Sequence, residues 1–251
     1  MSIFVVIFSL VTARIIPPLL FKSINPLYML PTYIKVLIVT YFSLIISVDI
    51  LDSYLMGKTF IFNEISLAIA LSFEFSIGVA FWFSLVLTYG ALMTMFQFLD
   101  MQVGFNPTGI FNPAMSQSEP ILSRSLLVFT LLLFFILDIH HLVIYIMSST
   151  FHYYPILMEY KVVNIYELIG FFSSQLILSF LLVAPVVISV FWVEVMLGLC
   201  SRMMPQVNIY FVGLPAKVLV SILTLGFISS HAETMVRKIF SANFSYWDSL
   251  Y

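Results

Sequence analysis

A run of 26 residues, from Leu168 to Val193, contains no charged side chain. A helix needs about 20 apolar residues to cross the hydrocarbon core of a bilayer, so this run alone is long enough. The whole sequence has the same bias, because 62% of its residues are hydrophobic and only 9% are charged, whereas soluble domains carry about 25% charged residues. The sequence therefore predicts a membrane protein.

Prolines and polar joints divide the sequence into six long apolar stretches. They cover residues 1–21, 33–51, 65–99, 121–147, 164–200 and 207–230. This pattern predicts an all-α fold of polytopic, membrane-associated helical hairpins. The first stretch lacks a basic start and an Ala-x-Ala signal, so it is predicted to be a retained helix. Pro17 and Pro18 are expected at a joint, whereas Pro185 and Pro215 lie inside stretches and are predicted to kink or divide their helices.

Charged residues interrupt these stretches more often than lipid-facing helices tolerate. They are Arg14, Lys35, Glu74, Arg124, Asp138, Glu167, Glu194 and Lys217. The positive charges also give no consistent orientation: the first joint favours the inside, and so does the C-terminal tail, which six spans would place outside. We therefore expect several charges to face protein or water, in a subunit whose helices are largely wrapped by others. A net charge of −2 with no basic stripe argues against nucleic-acid binding.

The apolar periodicity stops between Asp100 and Arg124, where Gly, Pro, Asn and Ser are frequent. Irregular backbone at membrane depth is stable only when it is buried in protein or lines an aqueous cavity. The segment also carries apolar side chains and no run of charge, so it is predicted to form a structured plug or constriction. The alternative is a turn that packs on its own bundle.

Asp138, His140 and His141 are the residues that most resemble a metal or proton-transfer site. Adjacent histidines on a helix project about 100° apart, unlike the i and i+4 pair of H-E-x-x-H, so a polar contact at a helix end is favoured. Cys200, the single cysteine, is expected to be a small buried residue. The sequence has no G-x-S-x-G motif and no phosphate-binding loop. No enzymatic activity, cofactor or metal is predicted.

Glu74 and Glu194 allow two interpretations. As buried carboxylates they could couple ion movement to transport. Alternatively, they pair with Arg14, Lys217 or a neighbouring subunit, and this pairing is the favoured interpretation.

The most distinctive motif is EVMLGLCSRMMPQVNIYFVGLPAK, from Glu194 to Lys217. It resembles the FliR/SctT family, the inner-membrane export-gate subunits of flagellar and virulence type III secretion. The resemblance extends over nearly the whole length through further matches. These are Glu74 with Gly78, Asp100-x-Gln102-x-Gly104-Phe105, Asn112-Pro113, Pro120-Ile121-Leu122, His140-His141 and Pro185. The histidine pair and the short C-terminal tail favour the flagellar branch. Asn112 stands where the family often has Asp, so no acidic role is expected there.

The resemblance implies a hetero-oligomeric pore that passes unfolded export substrates across the bacterial inner membrane, at the base of the flagellar basal body or injectisome. The implied partners are FliP-like and FliQ-like gate subunits, an FlhB-like subunit and membrane lipid. The cone that these subunits form is expected to lie partly above the bilayer plane. Residues 1–163 are expected to be similar to the FliP-like subunit and residues 164–251 to the FliQ-like one. The central loop, residues 104–120, matches the plug that closes the pore.

Two groups of residues are assigned on this basis. Plug or gating residues are Phe105, Ile110, Phe111, Asn112, Pro113 and Met115. Residues for inter-subunit or structural polar contacts are Glu74, Asp100, Gln102, Glu194, Arg202, Gln206, Asn208 and Lys217. The alternative function is a proton- or ion-coupled small-solute transporter that uses Glu74, Glu194 and Asp138. It is less favoured because the second half shows no equivalent of the central loop, as an inverted repeat would require. An intramembrane hydrolase is a weaker third possibility.

Overall fold

Eight α-helices make up nearly all of the chain that the structure describes. The computed structural model describes residues 3–21, 31–54, 64–104, 121–156, 165–204, 206 and 208–249. The helices are α1 (Ile3–Leu20), α2 (Thr32–Tyr54), α3 (Glu64–Val103), α4 (Ile121–Ile136), α5 (Ile139–Tyr153), α6 (Ile165–Met203), α7 (Ile209–Phe227) and α8 (Ser229–Ser249). No strand occurs in these ranges, and the prediction of an all-α fold is confirmed.

The helices also agree with the predicted number of membrane spans. Four of them, α1, α2, α3 and α6, are long and apolar enough to cross a bilayer. Two further pairs, α4 with α5 and α7 with α8, pass the same criteria together, although each pair is bent by 71°. By length and composition, the described residues therefore contain four to six candidate spans, in line with the six apolar stretches.

The positions of the helix breaks differ from the prediction that Pro185 and Pro215 divide their helices, whereas the alternative, that these prolines kink them, stays a prediction. Pro185 lies inside α6 and Pro215 inside α7, and neither proline divides its helix. Pro17 and Pro18 also lie within a helix, α1, and not in a joint. Apolar membrane helices tolerate proline because neighbouring groups can satisfy the freed carbonyls. The bend between α4 and α5 instead falls next to Asp138, which has the left-handed φ of 56°.

Helix α8 was not predicted, because the last apolar stretch ends at residue 230. Its buried side chains recur at intervals of three or four residues, which is the spacing of one helical face. They are Val236, Ile239, Phe240, Asn243 and Trp247, each at most 1% exposed. This periodicity was present in the sequence, but the charged residues of the other face lower the average hydropathy of the segment.

The contacts within the chain define two compact units. The first contains Met1–Tyr89, His141–Leu168 and Asn243–Tyr251. In this unit α1 packs against α2. The end of α8 packs against α3 through the rings of Phe81 and Trp247, whose centroids are 5.6 Å apart. The indole of Trp247 donates a hydrogen bond of 3.1 Å to Ser84, so a buried polar network reinforces this contact.

The second unit contains Gly90–His140 and Ile169–Ala242. Here the ring centroids of Phe134, on α4, and Phe240, on α8, are 5.3 Å apart. The fully buried side chain of Gln175, on α6, donates a hydrogen bond of 3.2 Å to the carbonyl of Ile239. Cys200 lies near the end of α6 and is exposed, so the prediction that it is buried was wrong. The helix face that carries it has no covering element within the described chain.

Candidate functional site

Three of the predicted polar residues of the second unit meet where α3, α6 and α7 come together. Lys217, on α7, forms an ion pair with Glu194, on α6. Gln102, near the end of α3, donates a hydrogen bond of 3.4 Å to the other oxygen of Glu194. We call these three residues the Glu194 cluster. Its charges are only partly buried, with side-chain exposures of 38% for Glu194 and 24% for Lys217.

Asp100 links the end of α3 to the beginning of α4. Its side chain is 1% exposed, and one oxygen, Oδ2, accepts hydrogen bonds of 3.3 Å from both the backbone N–H and the hydroxyl of Ser123. A carboxylate in the first turn of a helix is stabilised by free N–H groups and by the helix dipole. The other oxygen, Oδ1, has no hydrogen-bond partner among the described residues. We call the contact between Asp100 and Ser123 the loop clamp.

Gly104 ends α3 at the start of the predicted plug. Its N–H donates a hydrogen bond of 3.0 Å to the carbonyl of Asp100, and its φ is +76°, which is the usual glycine conformation after a helix C-terminus. A Cβ atom here would also lie 3.1 Å from Cδ2 of Leu214, on α7. Backbone conformation and packing therefore both favour glycine at this position.

The predicted plug side chains lie outside the described residues. These are Phe105, Ile110, Phe111, Asn112, Pro113 and Met115. The loop clamp and Gly104 define where the segment 105–120 leaves α3 and joins α4. The plug role of the segment stays a prediction.

Arg14 is the centre of a second polar cluster, in the first unit. Its guanidinium donates hydrogen bonds to Glu74 (2.6 Å), to the carbonyl of Thr150 (2.8 Å) and to the carbonyl of Tyr154 (2.8 Å). It also lies 4.3 Å from the centre of the Phe151 ring. The side chains of Arg14 and Glu74 are only 3% and 4% exposed. We call this arrangement the Arg14 cluster, and it joins α1, α3 and the C-terminal end of α5.

Two of the three carboxylates that the transporter alternative would use are therefore in ion pairs within the chain. Glu74 pairs with Arg14, and Glu194 pairs with Lys217. The prediction that these glutamates form ion pairs is confirmed. Since each carboxylate already has a cation, neither requires a coupling ion as its counter-charge.

Tyr154, at the edge of the Arg14 cluster, has a perturbed phenol. Burial is the main factor that raises the pKa of its hydroxyl, and the negative charge of Glu167 raises it further, whereas Arg14 lowers it. The phenol is consequently neutral at physiological pH and retains its proton as a hydrogen-bond donor.

Gly78 allows α1 and α3 to approach closely beside the Arg14 cluster. A Cβ atom at this position would lie 3.0 Å from Cδ of Pro17 and even closer to the carbonyl oxygen of Arg14, well inside van der Waals contact. Glu74 and Gly78, which the sequence analysis matched to the family together, are one helical turn apart on α3. Both residues belong to the contact between α1 and α3: Gly78 leaves room for the backbone of α1, and Glu74 pairs with Arg14 on that helix.

Asp138 lies in the turn between α4 and α5, and His140 and His141 follow in the first turn of α5. The imidazole of His140 lies 5.6 Å from the ring of Phe135 and 6.5 Å from that of Phe134, between centroids. Ligand atoms of the aspartate and the two histidines lie within 4.8 Å of one another. Both histidines lie in helix α5, so the argument that adjacent helical histidines project about 100° apart applies to this pair, whereas Asp138 precedes the helix.

The remaining predicted contact residues surround the connection between α6 and α7. Arg202 is exposed in the last turn of α6, where a cation interacts favourably with the helix dipole. Gln206 is exposed in the turn that follows. Asn208 immediately precedes α7, and its carbonyl accepts a hydrogen bond of 3.2 Å from the N–H of Phe211. Their contacts with other subunits stay predictions.

Sequence reasoning missed the polar groups that join the end of α8 to α3. Asn243 donates a hydrogen bond of 3.1 Å to the hydroxyl of Thr88 and accepts one of 3.4 Å from Ser84. The available signal was Asn243 itself, a polar residue at a position where the spacing of α8 otherwise buries apolar side chains. Ser123 of the loop clamp was also missed, because its sequence neighbours give no such signal.

Comparison with known proteins identifies the class of protein to which this arrangement belongs. The family model described as "Bacterial export proteins, family 1" matches residues 5–242, so the chain belongs to this family. Within it, the similar curated relatives are flagellar biosynthetic proteins named FliR, and the predicted membership of the FliR family and its flagellar branch is confirmed.

Three of these relatives show the extent of the similarity. FliR of Bacillus subtilis (strain 168) is 31% identical over 150 residues, which are 57% of this chain and 57% of the relative. FliR of Escherichia coli (strain K12) is 27% identical over 170 residues, 67% of this chain and 65% of the relative. FliR of Buchnera aphidicola subsp. Acyrthosiphon pisum (strain APS) is 27% identical over 164 residues, 65% and 64% respectively. The match thus spans less than two thirds of the length of these relatives.

Proposed function

We propose that this chain is a non-enzymatic core subunit of the flagellar protein-export apparatus in the bacterial inner membrane. The observation that carries the proposal is the family match over residues 5–242, together with relatives named as flagellar biosynthetic proteins. The four to six apolar spans are consistent with an integral subunit. In this role the chain contributes helices to a pore through which unfolded substrates pass.

We propose further that the segment 105–120 is the plug of this pore. In support, the loop clamp and Gly104 hold both ends of the segment to the helices. A segment whose two ends are held can return its apolar side chains to the same position in the pore after each displacement. Such side chains can block ions by excluding water and can still be displaced by a passing polypeptide.

The exposed faces of the helices support assembly with partner subunits. Only 22% of the apolar part of α2 is buried within the chain, and 28% of that of α6. Large side chains such as Leu37 (65% exposed) and Ile188 (56% exposed) face outwards. Exposed apolar surfaces of this extent mark contacts with lipid or with other proteins. The proposed partners are FliP-like, FliQ-like and FlhB-like subunits, with lipid on the remaining surface.

Changing the segment 106–118 in the assembled complex tests the plug. One variant replaces residues 106–118 with a Gly/Ser sequence of equal length, which preserves loop closure and removes every apolar side chain. A second variant deletes the same residues. Both are expected to increase ion conductance across the membrane, and a Gly/Ser replacement of residues 55–63, which lie between α2 and α3, should not. An assembled complex with unchanged conductance in both variants would rule out the plug role.

Co-purification tests the assembly. We expect Arg202→Ala to reduce the yield of partner subunits that co-purify with the chain, because its guanidinium is exposed at the end of α6. Arg237→Ala, a substitution of an exposed arginine on α8, is the matched control. A normal yield of the complex from Arg202→Ala would remove Arg202 from the proposed interface.

A further inference from the structure

The outer surface of the second unit changes in character from α7 to α8. Every exposed residue of α7 that the structure describes is apolar, and the large side chains among them are 54–86% exposed: Phe211, Val212, Leu219, Ile222, Leu223 and Phe227. In the part of α8 that belongs to this unit, residues 229–242, every exposed residue is instead polar. Four of them can carry charge: His231, Glu233, Arg237 and Lys238. The change coincides with the 71° bend between the two helices.

A single bent span made of both helices does not fit this surface. The pair is long and apolar enough to cross a membrane when its residues are averaged, but the exposed face decides what a helix contacts. Charged side chains within a membrane almost always face protein or water. Lysine and arginine near a helix end can reach the lipid headgroups, but Arg237 and Lys238 lie next to the midpoint of α8, Ser229–Ser249.

The apolar face of α8 is not free to lie on a membrane surface either. An interfacial amphipathic helix buries its apolar face among the lipid acyl chains. In α8 the unit itself covers this face, since Val236, Ile239 and Phe240 are at most 1% exposed. The ring of Phe240 packs on Phe134 of α4, and the carbonyl of Ile239 accepts the hydrogen bond from Gln175 of α6. The side of α8 that remains outside is therefore the polar one.

We propose that α8 lies outside the hydrocarbon layer as a water-facing helix, packed on α4 and α6, and is not the second half of a bent span. The bend after Phe227 is then the point where the chain leaves apolar surroundings, supplied by lipid or by an apolar partner, and enters water. Any crossing at this point is made by α7 alone, whose 19 residues are about 28 Å long, close to the hydrocarbon thickness of about 30 Å. The inference goes beyond the proposed export function, because it concerns only the surroundings of one helix.

Spin labels measure these surroundings directly. Cys200 is the single cysteine, so Cys200→Ser gives a background in which one introduced cysteine carries one nitroxide. Labels are placed at Thr234 and Ser241, exposed on α8, and at Leu219 and Leu223, exposed on α7, as matched controls. Power-saturation EPR of the full chain in nanodiscs then gives the collision rates of each label with oxygen, which concentrates in hydrocarbon, and with a water-soluble nickel complex. Lipids that carry a nitroxide at the headgroup or in the middle of an acyl chain calibrate the two environments.

We expect the two labels on α8 to collide with the nickel complex at least about tenfold faster than those on α7, because a polar solute is excluded from apolar surroundings. The same rates should persist in the complex co-purified with its partners. Values at α8 equal to those of the mid-chain lipid nitroxide would overturn the proposal, and so would equal nickel collision rates on the two helices. Slow collisions with both reagents at α8, in the chain or in the complex, would show that protein covers this face and would also overturn it.

Reversal of one charge gives a second readout. Lys238→Glu exchanges a cation for an anion on the exposed face of α8, and water solvates both, so the melting temperature should change by no more than about 2 °C. Leu223→Glu is the contrasting variant: it places a charge on the apolar outer face of α7 and should reduce the yield of membrane-inserted chain. A similar loss of yield from Lys238→Glu would contradict the proposal. Neither readout involves conductance, so the pore and plug are tested separately.

Discussion

Substitution of Arg14 by methionine is expected to lower the free energy of unfolding by about 3–5 kcal/mol, the usual cost of leaving a buried charge without its partner. The structure explains why the cost should be large. Arg14 and Glu74 are almost completely buried, so water cannot replace the lost contact. The carbonyl of Thr150 still accepts a hydrogen bond of 2.9 Å from the N–H of Tyr154, but no remaining donor is described for the carbonyl of Tyr154.

A double-mutant cycle separates the charge effect from the packing effect. Glu74→Leu alone leaves the arginine buried with two carbonyls, and we again expect a loss of about 3–5 kcal/mol. The double variant Arg14→Met/Glu74→Leu contains no buried charge, so its main cost is one carbonyl without a donor, about 1–3 kcal/mol. The double variant should therefore be more stable than either single variant.

Thermal unfolding in detergent provides the assay. At about 2–4 °C per kcal/mol for a chain of this size, each single variant should unfold roughly 6–20 °C below the unmodified chain. The control is Glu194→Gln, which breaks the partly exposed pair with Lys217. It should cost no more than about 1 kcal/mol. If the double variant were as unstable as the sum of the two singles, to within about 0.5 kcal/mol, the described ion pair would not be the source of the stability.

Three further predictions concern local features. Gly78→Ala should destabilise the chain by about 1–3 kcal/mol, because its methyl group overlaps the backbone of α1, whereas Gly90→Ala, with an open Cβ position, should be neutral or slightly stabilising. Equal melting temperatures for the two variants would contradict the close approach of α1 and α3. Asp100→Leu should accelerate hydrogen exchange at the N–H of Ser123 by about 10–100-fold, the equivalent of a charged hydrogen bond of about 1.5–3 kcal/mol, and an unchanged exchange rate would contradict the loop clamp. Cys200 should react with a maleimide in the folded, isolated chain, since it is exposed. Protection comparable to that of a buried thiol would show that the end of α6 is covered.

The sequence was sufficient to predict the fold class, because a charge-free apolar run of this length is typical of a membrane helix and is rare in soluble domains. It was also sufficient for the ion pairs, since the few buried charges have few possible partners. The positions of the helix breaks could not be predicted. Pro185 suggested a break that the continuous α6 does not have, whereas the actual break next to Asp138 contains neither proline nor glycine. Helix propensity is a weak local preference that packing overrides. Here the rings of Phe135, before the break, and His140, after it, lie 5.6 Å apart across the break.

The candidate site was predicted as a set of residues but not as an arrangement. The motif from Glu194 to Lys217 identified the cation and carboxylate that pair, because both lie in one distinctive stretch. It did not indicate that Gln102 joins them, 92 residues away in the sequence. Contacts between distant segments depend on the packing of whole helices, which a local pattern does not encode.

The Arg14 cluster also sets an order for the synthesis of the protein. The arginine is made early, but Glu74 follows 60 residues later and the carbonyls of Thr150 and Tyr154 follow 136 and 140 residues later. At about 5–20 residues per second, the full set of partners is complete roughly 7–28 s after the arginine. During this interval an arginine at the centre of a bilayer costs at least about 2.5 kcal/mol. The first helix must therefore wait near the lipid–water boundary, or beside an insertion factor, until the helices that bind its charge have been made.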